Sequence, residues 1–197
     1  MGLTLANKIT LVRIVLVPFM VVHVHYYAES GAEIHRRLAI AAFALAVISD
    51  GLDGYIARHY NQRSDLGAVL DPMADKLLLV LSLVALTVDN RPHLYRLPFW
   101  LTAIVLSRDV ILTIGLAAIH YSGHKPRVRP TFIGKLASVL VMVVVLWTLL
   151  KWDEDWMIYG AIAAAVCAII SGFGYAMDGL QQIGSPPDAD ANDSPKT

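Results

Sequence analysis

Residues 50–75 read DGLDGYIARHYNQRSDLGAVLDPMAD, which reduces to D-x2-D-G-x2-A-R-x8-G-x3-D-x3-D. Asp50 and Asp53 are three residues apart and Asp71 and Asp75 four, so on helices each pair lies along a single face. The runs that carry them are strongly apolar. An aspartate at the centre of a membrane helix costs roughly 2.5–3.5 kcal/mol on insertion scales, and four without compensation would cost about 10 kcal/mol or more. A cation is therefore required among them.

The two acidic faces belong to consecutive antiparallel helices joined by a short turn around residues 59–66. Counted from Gln62, Asp53 and Asp71 are each nine residues away, Asp50 twelve and Asp75 thirteen, so the acids pair by depth. Gly54 follows Asp50 by four and Gly67 precedes Asp71 by four, which lets backbones or a bulky ligand approach each face. Clustered carboxylate oxygens suit Mg²⁺, Mn²⁺ or Ca²⁺, whereas zinc would call for His or Cys. Because Mg²⁺ is commonly bound together with substrate phosphates, the cluster points to phosphoryl chemistry, with Arg58 on the same face as Asp50 and Gly54 to hold a phosphate at the rim. Asp65 fits neither face and reads as solvated, as does Asp178.

Outward from this stretch, 56% of the 197 residues are hydrophobic and 16% charged, and the mean hydropathy is +0.56. That composition is an integral membrane protein. A net charge of zero leaves no bulk electrostatic case for nucleic acid. The single cysteine, Cys167, excludes an internal disulfide and reads as packing. The N-terminus, MGLTLANK, has neither a charged leader with a small-residue cleavage site nor a transit-peptide composition, and Ala6 spoils a myristoylation pattern at Gly2.

Six apolar runs are long enough to span a bilayer, near 8–27, 35–58, 67–88, 97–120, 131–150 and 157–178. They are continuous and rich in Ala, Leu and Val without period-2 alternation, so the expected fold is all-α, a polytopic six-helix membrane bundle. Lys8, Arg13, Arg58, Arg63, Lys125, Arg127, Arg129 and Lys135 lie on one side; the other has Arg36, Arg37, Arg91, Arg96 and Lys151. The richer side is expected to be cytoplasmic, with both termini inside a plasma or inner membrane. Tyr26, Tyr27, Tyr95, Trp100, Trp147, Trp152 and Trp156 fall at the opposite ends, as an interfacial aromatic belt would. The membrane domain is expected over 1–182 and a disordered cytoplasmic tail over 183–197. Ala161, Ala164, Ala165, Ala168 and Ser171 favour close helix packing.

Taken together, these residues resemble the CDP-alcohol phosphatidyltransferases, membrane enzymes whose signature is the pattern quoted above. Every fixed position is filled: Asp50, Asp53, Gly54, Ala57, Arg58, Gly67, Asp71 and Asp75. The resemblance implies that Asp50, Asp53, Asp71 and Asp75 hold one or two ions of Mg²⁺ or Mn²⁺, and that Asp75 also serves as general base. It further implies that Asn7, Thr10, Gly54, Arg58, Ser64 and Gly67 contact CDP-diacylglycerol, and that the protein is a homodimer. The reaction implied is phosphatidyl transfer to a glycerophosphate-type alcohol with release of CMP, in phospholipid biosynthesis.

Two acceptors remain open. The runs N-Q-R-S-x-L-G-x-x-L-D-P-x-A-D-K, S-R-D-V and P-T-F-I-x-K are similar to cardiolipin synthases, which use phosphatidylglycerol. Arg13 after Asn7 and Thr10, followed by Pro18, fits the branch that uses sn-glycerol 3-phosphate, although that branch usually has R-E where this chain has Arg108-Asp109. An intramembrane arginine is a functional candidate by default, so Arg108, Lys135, Arg127 and Arg129 are candidates for the acceptor phosphate. Equally, Arg108 could simply pair with a carboxylate, and the loop cations could serve orientation or anionic lipid. His120 with His124, and His23 with His25, read as interfacial rather than metal-binding. The competing classes are a divalent-cation transporter using the same acids and a catalytically silent lipid-binding subunit; the first is disfavoured by a site off-centre in one hairpin, the second by the intact motif.

Overall fold

A computed structural model describes the backbone of residues 5–59, 65–88, 90, 92–121 and 131–184, with side chains over 9–50, 73–88, 90, 92–115 and 131–177. Within them the chain forms α1 (Leu5–Ser30), α2 (Glu33–His59), α3 (Asp65–Thr87), α4 (Phe99–Tyr121), α5 (Phe132–Leu149) and α6 (Glu154–Gly184), and there is no strand among the described residues. The protein is an all-α membrane protein. Ile9–Ser30, Phe132–Leu149 and Glu154–Met177 are long and apolar enough to cross a membrane.

Helix ends follow from local chemistry. Thr131 caps α5, its hydroxyl accepting from the Gly134 N–H at 3.2 Å. Gly31 ends α1 with φ +67, its N–H bonding the Tyr27 carbonyl at 2.9 Å, and a Cβ there would lie 2.4 Å from His93 Nε2. α6 continues to Gly184 instead of ending near 178, since no proline precedes the Ser-Pro-Pro that follows. The tail expectation beyond Gly184 lies outside the described residues, as does most of the turn around 59–66.

Two groups of helices make the bundle. α1 packs against α2 and α3, α6 packs against α4 and α5, and α3 and α5 join the groups. Ala161, Ala164, Ala165, Ala168 and Ser171 are all buried, so the small-residue face of α6 is the one turned inward. Val139 and Val143 on α5 and Ile162, Val166, Ile169 and Phe173 on α6 are exposed, the apolar exterior that lipid requires.

The end of the bundle away from the acids is tied by polar contacts. Tyr27 donates to Glu33 Oε1 at 3.0 Å and accepts from Lys151 Nζ at 3.3 Å, while Arg36 Nε meets Glu33 Oε2 at 2.6 Å. His93 Nδ1 lies 3.0 Å from the Ala28 carbonyl, and Arg96 Nε donates to the Thr87 carbonyl at 2.8 Å. The hydrogen bonds from Arg36 and then Tyr27 hold the Glu33 carboxyl below the usual glutamate range. Tyr27 is thus not part of an interfacial belt: it is 1% exposed, its ring packed in the core while its hydroxyl meets Glu33 and Lys151. Tyr26, Trp100, Trp152 and Trp156 are exposed at the same end, as a belt requires. His25 pairs with Glu29 at 3.3 Å and His23 stacks on Phe19, both far from the acids.

Candidate active site

The deep pair of acids meets on one nitrogen. Arg13 of α1 is fully buried, and its Nη1 donates to Asp50 Oδ1 of α2 at 3.0 Å and to Asp75 Oδ1 of α3 at 2.6 Å. The side chains of Asp50 and Asp75 are 38% and 42% exposed. Each carboxylate is therefore bonded to a guanidinium and still partly exposed. Thr10 lies one turn before Arg13 on α1 and is also fully buried. The sequence demanded a cation here and pointed to a metal ion; the fold supplies Arg13 as well, because α1 packs against both halves of the acidic hairpin. The signal was present, since an arginine inside the first span needs a carboxylate partner.

Asp53, Gly54 and Arg58 lie on α2 and Gly67 and Asp71 on α3, with side chains outside the described residues. The Asn7 side chain and all of Ser64, Arg127 and Arg129 are outside them too, as are the side chains of His120 and His124. Among the described residues no three His, Cys, Asp or Glu side chains form a metal cage. The described part of the cluster nevertheless suits a hard divalent cation: its donors are carboxylate oxygens from two helices, convergent on one positive atom and only partly buried.

A second buried arginine lies in the other helix group. Arg108 of α4, with an 11% exposed side chain, contacts Asp109 Oδ1 from Nη1 at 3.4 Å. Its Nη2 donates to the Gly134 carbonyl of α5 at 3.3 Å and to Ser171 Oγ of α6 at 3.4 Å, and the buried Nε has no hydrogen-bond partner. All three contacts are long for a charged donor. A Cβ on Gly134 would sit 2.9 Å from Ser171 Oγ and 3.0 Å from Arg108 Nη2, so only glycine leaves room for the guanidinium. Tyr175 of α6 steadies this corner, its hydroxyl accepting from the Thr131 N–H at 3.0 Å. Sequence inspection missed Gly134, Ser171 and Tyr175, although Thr131 just after Pro130 signals the helix cap that organises them. Lys135 is exposed on the first turn of α5, next to Gly134, without a contact to Arg108. Lys76, next to Asp75 in the chain, reaches Thr113 of α4 at 3.0 Å.

An all-α membrane protein that gathers carboxylates from one hairpin around a cation and keeps a second, largely buried arginine in its other helix group is built to handle charged groups at a membrane. Residues 3–172 match the CDP-alcohol phosphatidyltransferase family, and the chain belongs to it. The chain is 32% identical over 171 residues to the CDP-diacylglycerol–glycerol-3-phosphate 3-phosphatidyltransferase of Salmonella typhimurium, covering 86% of this chain and 89% of that protein. It is 31% identical over 183 residues to a Mycobacterium tuberculosis protein named "Probable phosphatidylglycerophosphate synthase", covering 91% and 83%. The Escherichia coli CDP-diacylglycerol–glycerol-3-phosphate 3-phosphatidyltransferase is 30% identical over 171 residues, covering 86% and 89%. The protein is thus a phosphatidyl-transferring enzyme of phospholipid biosynthesis, of a family that uses divalent metal ions. The transporter and silent-subunit readings are set aside.

Proposed function

We propose that this enzyme transfers the phosphatidyl group of CDP-diacylglycerol to sn-glycerol 3-phosphate, releasing CMP and forming phosphatidylglycerophosphate. The observation that carries the acceptor is the set of relatives, named for glycerol 3-phosphate transfer and matched over most of their length. Arg13, in line with Asn7 and Thr10, supports the same branch.

In this reading Asp50, Asp53, Asp71 and Asp75 hold Mg²⁺ or Mn²⁺, which when bound neutralises the donor diphosphate and the departing CMP. Asn7, Thr10, Gly54, Arg58, Ser64 and Gly67 contact the CDP-diacylglycerol. Asp75 takes the proton from the acceptor hydroxyl, its exposed side meeting a substrate that arrives from water. Arg108, with Lys135, Arg127 and Arg129, binds the acceptor phosphate; the long contacts of Arg108 leave it donor capacity for an incoming anion. The helices form six spans over 1–182, with the acids facing the cytoplasm, a polar tail over 183–197 and a homodimeric assembly.

The test is CMP release by purified protein supplied with CDP-diacylglycerol and Mg²⁺ or Mn²⁺, glycerol 3-phosphate and phosphatidylglycerol being offered singly. CMP release with glycerol 3-phosphate, and phosphatidylglycerophosphate by mass spectrometry, is expected. Turnover only with phosphatidylglycerol would transfer the enzyme to the cardiolipin branch.

A further inference from the structure

We infer that Arg13 is a resident counter-cation of the acidic hairpin, a positioning residue that holds Asp50 and Asp75 together when no metal is bound and opposes the metal when it arrives. The inference rests on the metal assignment proposed above. Three observations carry it. The guanidinium is fully buried, so its charge is not diluted by water. One nitrogen, Nη1, touches carboxylates from two different helices, so it acts across the hairpin rather than along it. Both carboxylates stay more than a third exposed while bonded to Arg13, so the guanidinium does not enclose them.

The electrostatics then run in two directions. Without metal, two like charges from α2 and α3 would repel, and Arg13 turns that repulsion into a shared attachment to α1. With metal, the same positive charge lies behind the carboxylates and weakens their hold on a divalent ion. Stability of the empty enzyme and affinity for the ion are thereby linked through one side chain. A site that holds its ion less tightly also exchanges it more readily between turnovers. A residue that merely filled space would lower stability equally in both states.

The full-length protein in detergent is unfolded thermally in EDTA and in saturating Mn²⁺, as wild type, Arg13→Gln and Arg13→Lys, and Mn²⁺ affinity is measured by electron paramagnetic resonance. In EDTA, Arg13→Gln is expected to lower Tm by about 5 °C, the loss of a buried cation whose two carboxylate partners are partly exposed. In Mn²⁺ the loss should shrink to less than half, and the Mn²⁺ Kd should fall about tenfold. Because a single nitrogen makes both contacts, the ammonium of Arg13→Lys should restore part of the metal-free Tm. Equal changes of Tm in EDTA and Mn²⁺, or an unchanged Mn²⁺ affinity in Arg13→Gln, overturn the inference. Should Arg13→Gln not be recoverable even when prepared in Mn²⁺, Arg13→Lys decides by the same comparison: a greater loss in EDTA, or no loss in either state, upholds it, and an equal loss in both overturns it. A wild type that neither binds Mn²⁺ nor gains Tm from it removes the metal assignment itself, and this inference with it.

Discussion

Among the described residues Arg13 is fully buried and Arg108 largely so, and they are served differently. Arg13 faces two carboxylates contributed by other helices at 3.0 and 2.6 Å. Arg108 faces one carboxylate, its own neighbour Asp109, at 3.4 Å, and otherwise a carbonyl and a hydroxyl at similarly long range. A buried charge with short ion pairs is already neutralised by the protein, whereas one with long contacts to mostly neutral acceptors keeps strength for a ligand. The contrast supports the proposal in which Arg13 belongs to the architecture of the acids and Arg108 to recognition of an anion.

The largest expected effect bears on the acids that Arg13 gathers. Asp75→Asn keeps the size of the side chain but removes its ability to accept a proton, and CMP release should fall about 10³-fold. Full activity in that variant would leave Arg13 bonded to a structural carboxylate and move the base elsewhere. Next in size, Arg108→Gln should raise KM for glycerol 3-phosphate about 30-fold or more, while KM for CDP-diacylglycerol changes little. Equal increases in both would make Arg108 a structural residue like Arg13 and erase the contrast.

A smaller effect is expected at Gly134→Ala, where the new methyl meets Ser171 Oγ and Arg108 Nη2 at 2.9 and 3.0 Å. Tm should drop by about 5 °C and acceptor KM should rise with it, since the guanidinium must shift. An unchanged acceptor KM would show that the position of Arg108 is not critical. Smallest is the change at the opposite end, where Tyr27→Phe should lower Tm by about 3 °C and leave CMP release unaltered. Glu33 there has a lowered pKa, so its contribution is present above the ordinary glutamate value and is lost as pH falls through the lowered one. Thermal scans between about pH 5 and 3 should show part of the acid sensitivity disappearing in Tyr27→Phe.

Much of this was legible beforehand because membrane constraints are strict. An apolar run long enough to span must be helical, so all six helices could be placed from hydropathy. Spacing put Asp50 and Asp75 at matching depth, and in the structure they share one nitrogen. Less legible was which side chain would stand between them. Arg13 is 37 residues from Asp50 and 62 from Asp75, and periodicity says nothing about contacts over such separations. Tyr27 was misplaced for the same reason: an aromatic at a helix end looks interfacial until its partners, Glu33 and Lys151, are known.

The sequence by itself determined the helices, the acidic motif and, through that motif, the class of chemistry, because each depends on residues close together in the chain. Only the tertiary structure decided that α1 would deliver a cation to both halves of the hairpin, and that Gly134 and Ser171 would cradle Arg108. The physical reason is that a buried charge is stabilised by whatever groups packing brings within about 3 Å of it, and packing is a property of the whole bundle.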